Sequence, residues 1–217
     1  MSLPASGRGG EQPSPSPVLD PRRYRWMIGA FGLVLVLVFS VHQLELGSHG
    51  VSTPGVLPGQ PLRDFAAPLA SSTLNGDANL HPSCTLARHD PRALNLCLLL
   101  GHGPLVLGLF VTNSRDCRRQ IDTLQAVSRE FPAGRVQFAA VAVRGDHAQT
   151  AALARAHHWT IPVAYDLDGA VGGLYGVEIC PMVELATRGG IVTDRLIGDH
   201  WLARSALAAR IRALLIR

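Results

Sequence analysis

Two continuous apolar runs, LVLGLFV at 105–111 and VQFAAVAV at 136–143, constrain this chain more than any other feature. Each has the length and residue type of a strand buried on both faces. Between them Cys117, Ile121, Leu124 and Val127 return at helical spacing, which predicts a helix over about 115–131. A second helix is expected over HAQTAALARAHHW (147–159) and a third strand over IPVAYD (161–166). A short helical turn through GAVGGLYGV then leads to MVELAT (182–187), and RGG turns the chain into IVTDRLIG (191–198), a hairpin pattern. A last helix spans about 202–216, with Leu207, Ile211, Leu214 and Leu215 on one face. Strands alternating with helices and ending in a hairpin and a helix imply a three-layer α/β/α sandwich.

The first sixty residues are of another kind. Residues 1–21 are rich in Pro, Ser and Gly and offer too little apolar surface to offset chain entropy, so a disordered tail is expected. Arg22, Arg23 and Arg25 precede the apolar run Trp26–Val41, which with HQLEL reaches about 21 residues, the length that crosses a bilayer as a helix. Residues 22–46 are therefore expected to form a single transmembrane anchor. Arginines on its N-terminal side place the N-terminus in the cytoplasm and the remainder outside. Neither an A-x-A cleavage site nor a lipid-accepting Cys follows the run. Residues 47–61 (GSHGVSTPGVLPGQP from 47) read as a linker, with a folded domain over 62–217 and an extended opening at Phe65–Leu69.

Composition removes some classes of function. The formal charge is +4, all of the basic residues are Arg, and no basic stripe is interleaved with aromatics, which argues against nucleic-acid binding. No Cys/His spacing matches a zinc site, and no cofactor or metal is expected. His157-His158 closes a helix, where adjacent residues do not share a face, so it reads as a surface pair. Asp116 reads as a helix cap. Four cysteines, Cys84, Cys97, Cys117 and Cys180, allow three pairings, and spacing alone does not choose among them.

The order β-α-β-α-β-β-α is that of a thioredoxin fold. LGLFVTNSRDCRRQIDTL resembles the active-site segment of the thioredoxin-like redoxins, the alkyl hydroperoxide reductase/thiol-specific antioxidant group and its membrane-anchored disulfide-reductase relatives. There a buried strand delivers a CxxC, or a TxxC in the peroxiredoxins, onto a helix N-terminus. GVEICPMVELATRGGIVTDRLIG resembles the cis-proline loop and hairpin of that family, with Pro181 as the proline, and GQPLRDFAAPLA is similar to its domain start. The resemblance spans about 59–217.

The chain departs from the pattern where it matters most. It reads Ser114-Arg115-Asp116-Cys117, so the first cysteine of CxxC is a serine and exchange within one motif is ruled out. The resemblance places the residue before the cis-proline against the active-site turn. It thus implies a Cys117–Cys180 pair, and with it a structural Cys84–Cys97 bridge in an oxidising compartment. Unfilled N–H groups at the helix start, with Arg115, Arg118 and Arg119 nearby, favour a Cys117 thiolate.

Three functions follow as expectations. The first is thiol–disulfide exchange with extracytoplasmic proteins or a membrane electron donor, Cys117 acting with Cys180 and Pro181 shaping the groove. The second is a peroxidase in which Cys117 becomes a sulfenic acid that Cys180 resolves. The peroxiredoxin proline seven residues upstream is here Phe110, and the activating Arg is replaced near Cys180, both of which count against it. The third is a binding module whose cysteines are only staples.

Overall fold

The structure is a computed structural model that describes residues 26, 30–38 and 55–216. Its contacts divide the chain into Met1–Val51 and Ser52–Arg217. In the first unit residues 30–38 are helical, and Phe31, Leu33, Leu35 and Leu37 are exposed. No helix among the described residues is long and apolar enough to cross a membrane. The disordered tail expected at 1–21 and most of the anchor expected at 22–46 lie outside the described residues.

In the second unit the apolar runs form strands as their pattern demands. The elements are β1 (Ala66–Pro68), β2 (Ala93–Asn95), α1 (Leu96–His102), β3 (Leu105–Phe110), α2 (Arg115–Ser128), β4 (Gln137–Val143), α3 (His147–Ala156), β5 (Val163–Asp166), α4 (Ala170–Leu174), β6 (Met182–Ala186), β7 (Val192–Ile197) and α5 (Arg204–Leu214). A five-stranded sheet has the order β5-β4-β3-β6-β7, and β1 and β2 make a small separate ladder. β3, β4 and β5 run parallel, whereas β6 is antiparallel to β3 and β7 to β6. This is the expected α/β sandwich of thioredoxin type.

The central strands are buried on both faces, and alternation sorts their side chains into two cores. Val106 and Phe110 of β3 join Ile121, Leu124 and Val127 of α2 and Leu207, Ile211 and Leu214 of α5. Leu105, Leu107 and Leu109 face the other way, against Phe65, Leu96, Leu100, Val171 and Tyr175. Each fully buried Leu, Ile or Val contributes about 1.5–3 kcal/mol, so α2 is held mainly by its apolar face. Gly108 lets that helix approach closely. A Cβ there would lie 2.5 Å from Leu124 Cδ1 and 3.1 Å from Ile121 Cδ1.

Residues 55–61, expected from their composition to be linker, are held to the sheet. Val56 is buried, Gly59 N–H donates to Val192 O (2.8 Å), Val192 N–H donates to Gln60 O (2.9 Å), and Leu62 N–H donates to Gly190 O (2.8 Å). The chain then crosses the face through Phe65, whose ring meets Tyr175 edge-on at 5.8 Å, and Tyr175 Oη donates to Arg63 O (2.8 Å). It reaches the opposite edge at Ala70, whose N–H donates to Val163 O (2.9 Å). The opening strand is shorter than the expected Phe65–Leu69, because its partner β2 has only three residues. The last helix starts later than 202, since Asp199–Leu202 is a 3-10 turn.

Candidate active site

β3 is buried throughout and delivers the chain at its C-terminal end to the turn Val111–Asn113. Ser114 is the N-cap of α2, its Oγ accepting from Cys117 N–H at 3.4 Å. Ser, not the expected Asp116, caps because the cap side chain must reach back to the third helical N–H from outside the helix. Asp116 lies two residues too far along, and its carboxylate instead faces Arg119 at 3.2 Å. Arg118 Nη1 donates to Thr112 O (2.7 Å), and Thr112 Oγ1 donates to Gln149 Oε1 (2.7 Å), so the turn is tied to both α2 and α3.

Cys117 sits in the first turn of α2 and is joined to Cys180 in a disulfide with Cα atoms 5.6 Å apart. Cys180 precedes Pro181 across a cis peptide bond, and Pro181 leads directly into β6. Ser114, Cys117, Cys180 and Pro181 therefore meet at one end of the sheet. The two cysteines differ in burial: Cys117 is 1% exposed, whereas Cys180 is only partly buried and follows Ile179, which is 46% exposed. Cys180 Sγ also lies 3.9 Å from Leu109 O and 3.9 Å from Gln120 Oε1.

Gln120 was not among the residues expected here. It is fully buried, its Nε2 donates to Met182 O, and its Oε1 accepts from Met182 N–H at 2.9 Å. One amide thus satisfies both backbone groups of the first β6 residue and fixes the loop that carries Cys180. The signal was present in the spacing: Gln120 is three residues after Cys117 and four before Leu124, which puts it on the apolar face.

The other pair is also closed. Cys84 and Cys97 form a disulfide with Cα atoms 5.6 Å apart. Asn95 caps α1, accepting from Leu98 N–H at 3.3 Å, and its Nδ2 donates to Ser83 O at 3.0 Å. Asp64 lies beside these sulfurs, all three ligand-type atoms being within 4.8 Å of one another. Both sulfurs are engaged in the disulfide and offer no thiolate to a metal. Replacing Cys84 and Cys97 together by Ser is expected to cost about 3 kcal/mol in denaturant unfolding, the order of effect for a loop of this length, and to leave the Cys117–Cys180 pair intact. His157 is less a free surface group than expected, because its Nδ1 lies 2.9 Å from Asp122 Oδ1, which also accepts from Trp159 Nε1 at 2.8 Å.

The model of the AhpC/TSA family matches residues 78–196. No curated protein matches the chain. Among solved structures, it is similar to a candidate thiol:disulfide interchange protein DsbE from Chlorobium tepidum (21% identity, TM-score 0.59, 74% of this chain and 99% of that one). It is also similar to the peroxidoxin BcpB from Mycobacterium tuberculosis (18% identity, TM-score 0.56, 72% and 97%). A third is a secreted disulfide oxidoreductase from Mycobacterium tuberculosis homologous to E. coli DsbE (20% identity, TM-score 0.50, 56% and 89%). At these identities the likeness speaks for the thioredoxin-like fold.

Proposed function

The chain belongs to the AhpC/TSA family, and from that premise we propose that it is a thiol–disulfide exchanger working through Cys117 and Cys180. One observation carries the reading. A disulfide joins the first turn of α2 to the loop before Pro181, and one of its two residues, Cys180, is only partly buried. The substitution of Ser114 for a cysteine is thereby met from outside the motif. Ser114 keeps the capping role and Cys180 supplies the second thiol. Cys84–Cys97 stands apart as a staple of the segment before β3.

The apolar run after Arg22, Arg23 and Arg25 supports a membrane anchor with the redoxin domain outside the cytoplasm, and the exposed apolar side chains at 31–38 fit that reading. The natural partners are then envelope proteins with thiols or disulfides, or a membrane electron donor. Peroxidase chemistry is the weaker reading, since Cys117 is almost completely covered and Phe110 stands in the place of the peroxiredoxin proline.

A redox titration of the full chain in mild detergent, with cysteine pairs mapped by mass spectrometry at each step, tests the exchange reading. The expected result is a Cys117–Cys180 pair that opens at a mild potential while Cys84–Cys97 stays closed. A pair that opens only below about −300 mV, or only on denaturation, would make both disulfides structural and leave a binding module.

A further inference from the structure

We infer that partners enter the exchange at Cys180 rather than Cys117, so that the covalent intermediate is always carried by the loop before Pro181 and the helix cysteine is the resolving thiol. The inference rests on the exchange reading above and assigns the two sulfurs opposite roles within it. It also moves the point of entry away from Cys117, whose thiolate the sequence led one to expect acting with Cys180.

Access is the first argument. A sulfur attacked by a protein thiolate must be reached by it, and Cys117 is 1% exposed beneath its own turn. Cys180 is only partly buried, in a loop with exposed Glu178 and Ile179 immediately before it. The second argument is electrostatic and independent of access. Cys117 occupies the first turn of a 14-residue helix, where the N-terminal partial charge stabilises a thiolate. Cys180 Sγ instead has two oxygens, Leu109 O and Gln120 Oε1, each 3.9 Å away. Those oxygens can accept from a thiol but oppose a thiolate. The helix start favours a departing Cys117 thiolate against the opposing cost of its burial, and Cys180 is the less covered of the two residues, so partner attack is directed to Cys180.

The step balances as follows. A thiolate of a partner dithiol attacks Cys180 Sγ, a partner–Cys180 bond forms, the Cys117–Cys180 bond breaks, and Cys117 leaves as a thiolate. The partner's second thiolate attacks its own sulfur in that mixed disulfide and expels Cys180, which takes up a proton from solvent. The partner is oxidised by two electrons and the Cys117–Cys180 disulfide is reduced to two thiols. In reverse, Cys180 attacks a partner disulfide and Cys117 displaces the partner from the mixed disulfide. The same intermediate serves both directions.

The test is a pulse of limiting reduced glutathione on the oxidised full chain in mild detergent, followed by acid quench, maleimide alkylation and peptide mapping. Glutathione on Cys180 with the alkyl group on Cys117, at least tenfold over the reverse arrangement, is expected. Glutathione mainly on Cys117, or shared equally, would overturn the assignment while leaving the exchange reading in place. No adduct on either cysteine, with the pair closed until denaturation, would overturn both. A parallel comparison uses the Cys117→Ala and Cys180→Ala chains, each checked for native circular dichroism, against oxidised glutathione. Access favours Cys180 in the first and the helix start favours a Cys117 thiolate in the second; faster adduct formation on Cys180 is expected, and equal or reversed rates would overturn the assignment.

Discussion

Gln120→Leu is expected to lower the stability of the fold by about 2–4 kcal/mol, read as a shift in the urea midpoint at unchanged slope. The substitution keeps the volume and apolar character of the site but removes the donor to Met182 O and the acceptor for Met182 N–H. Met182 is fully buried at the start of β6, and its registered neighbour on β3 is Leu109. A buried backbone group left without a partner costs about 1–3 kcal/mol, and here two are orphaned together. The extra apolar burial of the leucine offsets part of that. A loss below about 1 kcal/mol would mean that another donor and acceptor take over, and the amide would then not be what holds the Cys180 loop.

Glu184→Gln is expected to change the pH profile of stability rather than its value at every pH. Glu184 is fully buried on β6, where it accepts from Val56 N–H through Oε1 at 2.8 Å. Its Oε2 and Arg195 Nη1, from the registered position on β7, are buried without a hydrogen-bond partner among the described residues. Burial pushes the Glu184 carboxyl up from 4.5 to about 7, against the opposing pull of the Val56 N–H and of Arg195. The folded state therefore binds this proton more tightly than the unfolded chain does. The contribution to stability is complete below about pH 4.5 and is lost as pH rises through about 7. At about 1.4 kcal/mol per pH unit, the rise from 4.5 to about 7 amounts to about 3.5 kcal/mol. Denaturant unfolding at pH 5 and pH 8 checks it: the native chain should lose stability between the two, and the glutamine chain should lose much less. Equal slopes in both proteins would show that the carboxyl titrates normally.

The parts of this fold that were legible in the sequence are those whose partners repeat locally. The runs at 105–111 and 136–143 became β3 and β4 nearly residue for residue, because a strand buried on both sides needs apolar residues at every position. α2 was legible from its spacing, and ends at Ser128 rather than 131. β2 and α1 were not, because a three-residue strand followed by a seven-residue helix is too short to display either period, and LNLCLLL fits both. In the site, the Cys117–Cys180 pair followed from the family resemblance, not from spacing. Gln120 carried a readable sign, a polar residue on an apolar helix face. Glu184 carried none. In MVELA it is one more residue of a buried strand, and its partner Val56 lies 128 residues away in the chain.

The stretch from Gly59 to Ala70 has a consequence for the sheet as a surface. The two outer strands of an open sheet ordinarily present unpaired N–H and C=O groups, a template on which a second chain can add itself. Here a single stretch flanks both: it hydrogen-bonds to Val192 of β7 at one side and to Val163 of β5 at the other. It acts as a hem sewn to both borders of the cloth. At those two points the ladder has no bare rung for another copy, so a chain shortened past Gly59 loses more than a linker. It uncovers the backbone of Val192 and frees that rung of the outer strand for a second copy.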